Sequence, residues 1–263
     1  MARARGRRGV RAPDGALEGD RYGPGDCPRR VGHGSSPAVS AVHVLVMAKA
    51  PVAGQVKTRL CPPLSPQEAA EVAEAALADT LAAVAACRAD RKIIALHGRP
   101  GPWMPEGFDV IPQAGRGLGP RLANAWAATA PSTGGWGIQI GMDTPQVTAS
   151  ELDDLLSLLV SPPASRQERT AVLGPASDGG WWVIGLPGTD PRRVFGGVEM
   201  STPHTGDTQL TRLRALGLAV SVVQEHRDID TFADLAAVAE AHPHLRTATA
   251  WRRWTRPADA MVS

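Results

Sequence analysis

The chain has 263 residues, 43% of them hydrophobic, enough to bury one large α/β core or two small ones. It carries 28 Gly and 23 Pro but only one Tyr and three Phe, which leaves little for stacking platforms on nucleic acid. The net charge of +2 hides an asymmetry: residues 1–38 hold eight Arg against four acids, so residues 39–263 sum to −2, which argues against a nucleic-acid binder held by bulk charge.

Residues 1–38, with Arg5-Gly6-Arg7-Arg8-Gly9 and the Gly/Pro/Asp/Arg mixtures after it, have no periodicity and little to bury. They read as a disordered Arg/Gly-rich extension, with a domain expected over 39–245 and a polar tail over 246–263. The basic start is not followed by the apolar core of a secretory signal, and no apolar run approaches the roughly 20 residues of a membrane span. Cys27, Cys61 and Cys87 form neither a disulfide framework nor a thiolate metal site. A reducing, cytoplasmic setting is the expectation.

Val42–Ala48 reads as a buried first strand that delivers the loop Lys49–Leu60 to one edge of a sheet. That loop is punctuated by Pro51 and Gly54, and its Lys57-Thr58-Arg59 puts two cations beside a hydroxyl. Lys as a mobile point charge and Arg as a planar fork suit phosphate oxygens, although a solvated basic loop would read the same way. Ser65-Pro66-Gln67-Glu68 is a capping box with Pro at the first helical position, opening an Ala-rich helix to about Cys87. Ile93–Leu96 and Asp109–Pro112 are short strands. Gly115–Gly119, centred on Gly117, is a second glycine loop whose spacing fits neither a P-loop nor a dinucleotide fingerprint.

A helix from about Arg121 to Thr129 leads to strand Trp136–Gly141, which ends at Asp143. Thr148–Glu151 has the spacing of another capping box, before the helix that carries Leu152, Leu155, Leu156 and Leu159. Strands Ala171–Leu173 and Trp181–Leu186 flank the turn Asp178-Gly179-Gly180. A helix over about 207–216, a strand over 219–223, the segment Asp228-Ile229-Asp230-Thr231 and a helix over 232–241 follow. Strands of four to seven residues alternating with helices indicate an α/β sheet covered on both faces. In such sheets the ligand crevice lies beyond the carboxyl ends of the strands. Lys49–Arg59, Gly115–Gly119, Asp143 and Asp178–Gly180 all fall there.

A carboxylate at Asp143 suits a hard divalent cation such as Mg2+ or Mn2+, against the alternative of an Asx-turn ahead of Pro145. Asp228 and Asp230 are further carboxylates, and Asp230 also fits a helix cap. Gly179 and Gly180 permit close approach of a ligand, while Asp-Gly is equally a hairpin turn. No Ser–His–Asp, Cys–His or zinc arrangement is legible.

Four ordered motifs carry a resemblance: Lys49-x-Pro51-x-x-Gly54-x-x-Lys57-Thr58-Arg59-Leu60, Gly141-x-Asp143-x-Pro145, Gly174-Pro175-x-x-Asp178-Gly179-Gly180, and Asp228-x-Asp230-Thr231. Over about residues 42–241 the chain resembles the DUF2064 family, glycosyltransferase-A-type (GT-A) proteins of the nucleotide-diphospho-sugar transferase superfamily. The resemblance implies a three-layer α/β sandwich with a mostly parallel central sheet. It implies nucleotide or phosphate contacts from the first loop (Lys49, Gly54, Lys57, Thr58, Arg59) and a divalent metal, Mg2+ or Mn2+, on Asp143, with Asp230 as a second contact. The Asp178–Gly180 turn would line the sugar or acceptor side, with Asp178 placing or deprotonating an acceptor hydroxyl. Met200-Ser201-Thr202 stands where members often have Trp-Ser-Thr. The reaction expected first is sugar transfer from a nucleotide-diphosphate sugar to a small-molecule acceptor. Nucleotidyl transfer from an NTP, as in the similarly laid-out phospholactate guanylyltransferases, and non-catalytic nucleotide binding are the alternatives.

Overall fold

The computed structural model describes residues 41–129, 136–160 and 169–255. The extension over 1–38 and the end of the tail lie outside the described residues.

Seven strands form one sheet in the order β3-β2-β1-β4-β6-β5-β7. They are β1 (His43–Lys49), β2 (Arg91–His97), β3 (Asp109–Pro112), β4 (Trp136–Gly141), β5 (Thr170–Pro175), β6 (Trp181–Pro187) and β7 (Ala219–Val222). All neighbours pair in parallel except β6, which runs antiparallel to both β4 and β5. The parallel strands β1 and β4 sit centrally and are buried on both faces between the two helix layers. The Asp178-Gly179-Gly180 turn is the hairpin between β5 and β6, with a register shift at Gly174/Pro175.

One face of the sheet (Val44, Val46, Ile138, Ile140) packs against α1 (Pro66–Ala86) and α3 (Ala149–Val160) through Leu77, Leu81, Leu152 and Leu156. The other face (Leu45, Met47, Ile184) meets α2 (Leu118–Thr129), α4 (Pro191–Phe195) and α5 (Thr205–Ala215) through Leu122, Trp126, Phe195 and Leu213. The result is the three-layer sandwich. A third cluster joins the first loop to α6 (Phe232–Ala241) through Leu60, Leu64, Ile229 and Leu235.

The residues just past 245 do not end the domain. Arg246–Thr255 form α7, which lays Ala250, Trp251 and Trp254 on the third cluster. Its polar faces mask the apolar stripe when the segment is read by composition. Asp79 anchors it, accepting from the Thr247 N–H and hydroxyl at 2.9 and 2.8 Å.

The first capping box closes as expected: Ser65 Oγ accepts from Glu68 N, and Glu68 returns to Ser65 N at 2.7 Å. The second closes only halfway. Thr148 Oγ1 accepts from Glu151 N, but the Glu151 carboxylate turns to His226 Nε2, 2.7 Å away.

His43, 2% exposed on β1, sets an acid limit on this core. Its Nε2 lies 3.2 Å from Thr129 Oγ1, and its ring meets Trp126 edge-on. Burial, reinforced by the Arg91 charge, lowers its pKa to about 4. A depressed His favours the neutral form in the native state, so the stability it supports is present above pH 6.5 and declines as pH falls towards 4. Its size is up to about 3 kcal/mol. His43→Gln should flatten the stability–pH curve between pH 6.5 and 4 in urea titrations. An unchanged slope would remove His43 as the cause.

Candidate functional site

The first loop is pinned on both sides of its cations. Val56 (6% exposed) is held in the first core cluster and Leu60 (0%) in the third. Lys57 between them adopts a left-handed conformation (φ 47°), uncommon for a residue with a side chain. That bend, at the start of the short 3-10 turn Thr58–Leu60, sends the Lys57 side chain inward, where it is only 8% exposed.

Lys57 Nζ lies 2.9 Å from Asp143 Oδ1 and 3.4 Å from Asp230 Oδ1, and donates to the Ile229 carbonyl. Burial alone would lower its pKa. The carboxylates of Asp143, Asp230 and Asp228 reverse that and hold it above the ordinary value, so Lys57 stays charged. Arg59 Nη1 reaches Asp230 Oδ2 at 3.0 Å, with its side chain 75% exposed.

Asp228 and Asp230 reach the cleft together because Ile229 between them is buried. Its N–H donates to the Asp143 carbonyl at 2.9 Å, and alternation along an extended segment turns both neighbours the other way. Asp230 is not the helix cap. Thr231 caps α6 in a reciprocal box with Asp234, which leaves the Asp230 carboxylate to the cleft.

Asp178 comes from the β5–β6 hairpin, where its Oδ1 accepts from Gly180 N at 2.7 Å. Oxygens of Asp178, Asp228 and Asp230 all lie within 4.8 Å of one another. Burial and then the Asp178 charge push the Asp228 carboxyl up to about 6. Three carboxylate oxygens this close, one of them short of compensating charge, fit a hard divalent cation with oxygen ligands.

These groups line a cleft of about 470 Å³ at the carboxyl ends of β1 and β4. Of the residues singled out in the sequence, Lys49, Lys57, Thr58, Arg59, Asp143, Asp178, Gly180 and Asp230 line it. Three do not. Gly54 lies outside, and Gly117 lines a neighbouring groove with Arg192 and Phe195. Gly179 (φ +87°) packs beneath the loop after α4, where a Cβ would lie 2.1 Å from the Pro203 carbonyl oxygen. Gly179→Ala should therefore cost about 3 kcal/mol through strain and backbone collision, lowering Tm by roughly 6–12 °C in a thermal melt.

The sequence points to Asp143 and Asp230 as metal ligands. In the fold Asp143 meets Lys57, and Asp230 meets Asp178 and Asp228. The sequence signal for Asp228 was its spacing of two from Asp230. Gln113, Arg121 and Gln139 also line the cleft, and nothing in their local sequence marks them.

A protein of Desulfovibrio desulfuricans G20, described as a candidate nucleotide-diphospho-sugar transferase, superposes with a TM-score of 0.71 at 24% identity, over 81% of this chain and 95% of that one. A nucleotidyl transferase from Methanothermobacter thermautotroptrophicus (TM-score 0.47, 15% identity, 76% and 97% covered) is a more distant match. So is the 2-C-methyl-D-erythritol 4-phosphate cytidylyltransferase of Thermus thermophilus (0.45, 20%, 80% and 98%). No curated protein matches in sequence. The architecture, a three-layer α/β sandwich with a mostly parallel central sheet, is the one expected from the sequence, and it is shared with the Desulfovibrio protein.

The profile of a family described as an uncharacterized protein conserved in bacteria (DUF2064) matches residues 68–202, just over half of the chain. That span includes Asp143 and the Asp178–Gly180 turn and stops short of Asp228 and Asp230. On a match of this extent, the chain belongs to the DUF2064 family.

Proposed function

We propose that this protein is a divalent-metal-dependent nucleotidyltransferase, in which a phosphate on a small-molecule substrate attacks the α-phosphorus of a nucleoside triphosphate. The observation that carries this order is the use already made of the cleft's carboxylates. Asp143 is paired with Lys57, and Asp178, Asp228 and Asp230 form the acidic cluster. Among the described residues, no histidine lines the cleft. With a cation on the cluster, no carboxylate is left to take a proton from an acceptor hydroxyl. A phosphate nucleophile is already anionic and needs no base.

In the step, a substrate phosphate oxygen forms the new P–O bond, the α–β bridging bond breaks, and pyrophosphate leaves with the electron pair. Asp178, Asp228 and Asp230 would hold Mg2+ or Mn2+, which supplies charge neutralisation at the phosphates. The exposed side chains of Lys49 and Arg59, which line the cleft, offset charge on the leaving pyrophosphate. Lys57 fixes Asp143 and the Asp228–Asp230 segment in place. Sugar transfer, the reaction expected first from the sequence, stands second because Asp178 or Asp228 would have to leave the ion to serve as base.

The test is a thermal-shift screen of NTPs and nucleotide-diphosphate sugars, each with and without Mg2+ or Mn2+. Metal-dependent stabilisation by at least one NTP is expected. Stabilisation by nucleotide-diphosphate sugars alone would reverse the order.

A further inference from the structure

The cleft has a second half that the phosphate chemistry does not use. Its floor is the face of β4 on which Gly137, Gln139 and Gly141 alternate. The space over Gly137 is filled by His43, whose carbonyl oxygen and ring lie 2.4–2.8 Å from where a Cβ would be. The space over Gly141 is open: a Cβ there would meet nothing nearer than Asp143 N, at 3.8 Å. Between the two, Gln139 lines the cleft while only 1% exposed, and its Oε1 has no hydrogen-bond partner.

Leaving a buried amide oxygen unpaired is costly, so one in the middle of a central strand calls for a partner. The open space over Gly141 is where a ligand can supply it. The terminal torsion of Gln is broad and roughly two-fold, so either end of the amide can face the cleft. The same cleft is also lined by Met47, Leu118, Leu122, Trp181 and Met200, and by Arg121, whose Nε donates to the Gly115 carbonyl.

We infer that Gln139 is a specificity-determining residue that hydrogen-bonds a hydroxyl of an uncharged, hydroxylated ring, and that this ring carries the attacking phosphate. This rests on the phosphate-and-metal reading of the cleft. A carboxamide is donor and acceptor at one site, and so is a hydroxyl. The apolar and aromatic walls suit the C–H face of a sugar or cyclitol and disfavour a second charged group. The substrate class is therefore a sugar or polyol phosphate.

The test measures affinity in Mn2+ for glucose 1-phosphate, mannose 1-phosphate and N-acetylglucosamine 1-phosphate, with inorganic phosphate reporting the phosphate end alone and CMP and GMP as nucleotide arms. Wild type should bind at least one sugar phosphate at least tenfold more tightly than inorganic phosphate. Gln139→Leu should erase that margin, leave inorganic phosphate within twofold, and melt no lower than wild type without ligand. A purely structural role would instead lower its melting temperature. Gly141→Val, whose side chain enters open space, should erase the same margin by filling the subsite. The inference is overturned if no sugar phosphate exceeds inorganic phosphate, if the margin survives both substitutions, or if Gln139→Leu weakens only CMP or GMP. A protein that answers to neither phosphate nor any sugar phosphate overturns the phosphate reading along with it.

Discussion

Lys57→Met should lower the stability of the domain by about 2 kcal/mol and weaken metal-dependent nucleotide binding in the same variant. Lys57 is the inward-facing cation between Asp143 and Asp230, at 2.9 and 3.4 Å, and its own side chain is almost out of water. Removing one partner of a fully buried pair typically costs about 3–5 kcal/mol, because the other charge is left stranded. Here both carboxylates keep 35% of their side-chain surface in solvent, which screens them and reduces the loss. In a domain of this size that is a fall in Tm of roughly 4–8 °C. The double variant Lys57→Met, Asp143→Asn should recover part of it, since the stranded charge is gone. A Lys57→Met protein melting within a degree of wild type would show that the pair does not hold the loop.

Asp228→Asn should act in opposite directions on the fold and on the ligand. Without metal, the oxygens of Asp178, Asp228 and Asp230 repel one another within 4.8 Å, so removing one charge should raise Tm by a few degrees at about pH 8. With Mg2+ or Mn2+, the variant should lose at least about 100-fold in metal affinity and with it most of the metal-dependent stabilisation. Titration by calorimetry, alongside melts with and without metal, separates the two effects. Asp143→Asn is the informative control. If Asp143 serves mainly Lys57, that variant keeps most of its metal affinity and loses stability instead. If it loses metal affinity as fully as Asp228→Asn, then Asp143 is itself a ligand and the three-carboxylate set is wrong.

Much of this protein was fixed by local sequence. The Ser65–Glu68 box started α1 because cap, Pro and Glu lie within four residues and need only one another. The alternation of short apolar strands with helices gave the layered α/β sheet, and the order of four polar motifs placed a cleft at its carboxyl edge. Lys57, Asp178 and Asp230 are legible in the sequence as charged residues at strand ends or in turns.

What the tertiary structure alone decided is which groups meet. Lys57 and Asp230 are 173 positions apart, and only the β1–β4 pairing together with burial of Ile229 brings the ammonium between Asp143 and Asp230. Thr231 took the helix cap, Glu151 left its capping box for His226, and Gly179 went to a backbone contact with Pro203. The first of these is a local choice between neighbouring residues, whereas the contacts to His226 and Pro203 come from long-range packing. Gln139 was silent in the sequence for a related reason. A polar residue inside an apolar strand reads as an interruption until the fold shows open space over Gly141 beside it.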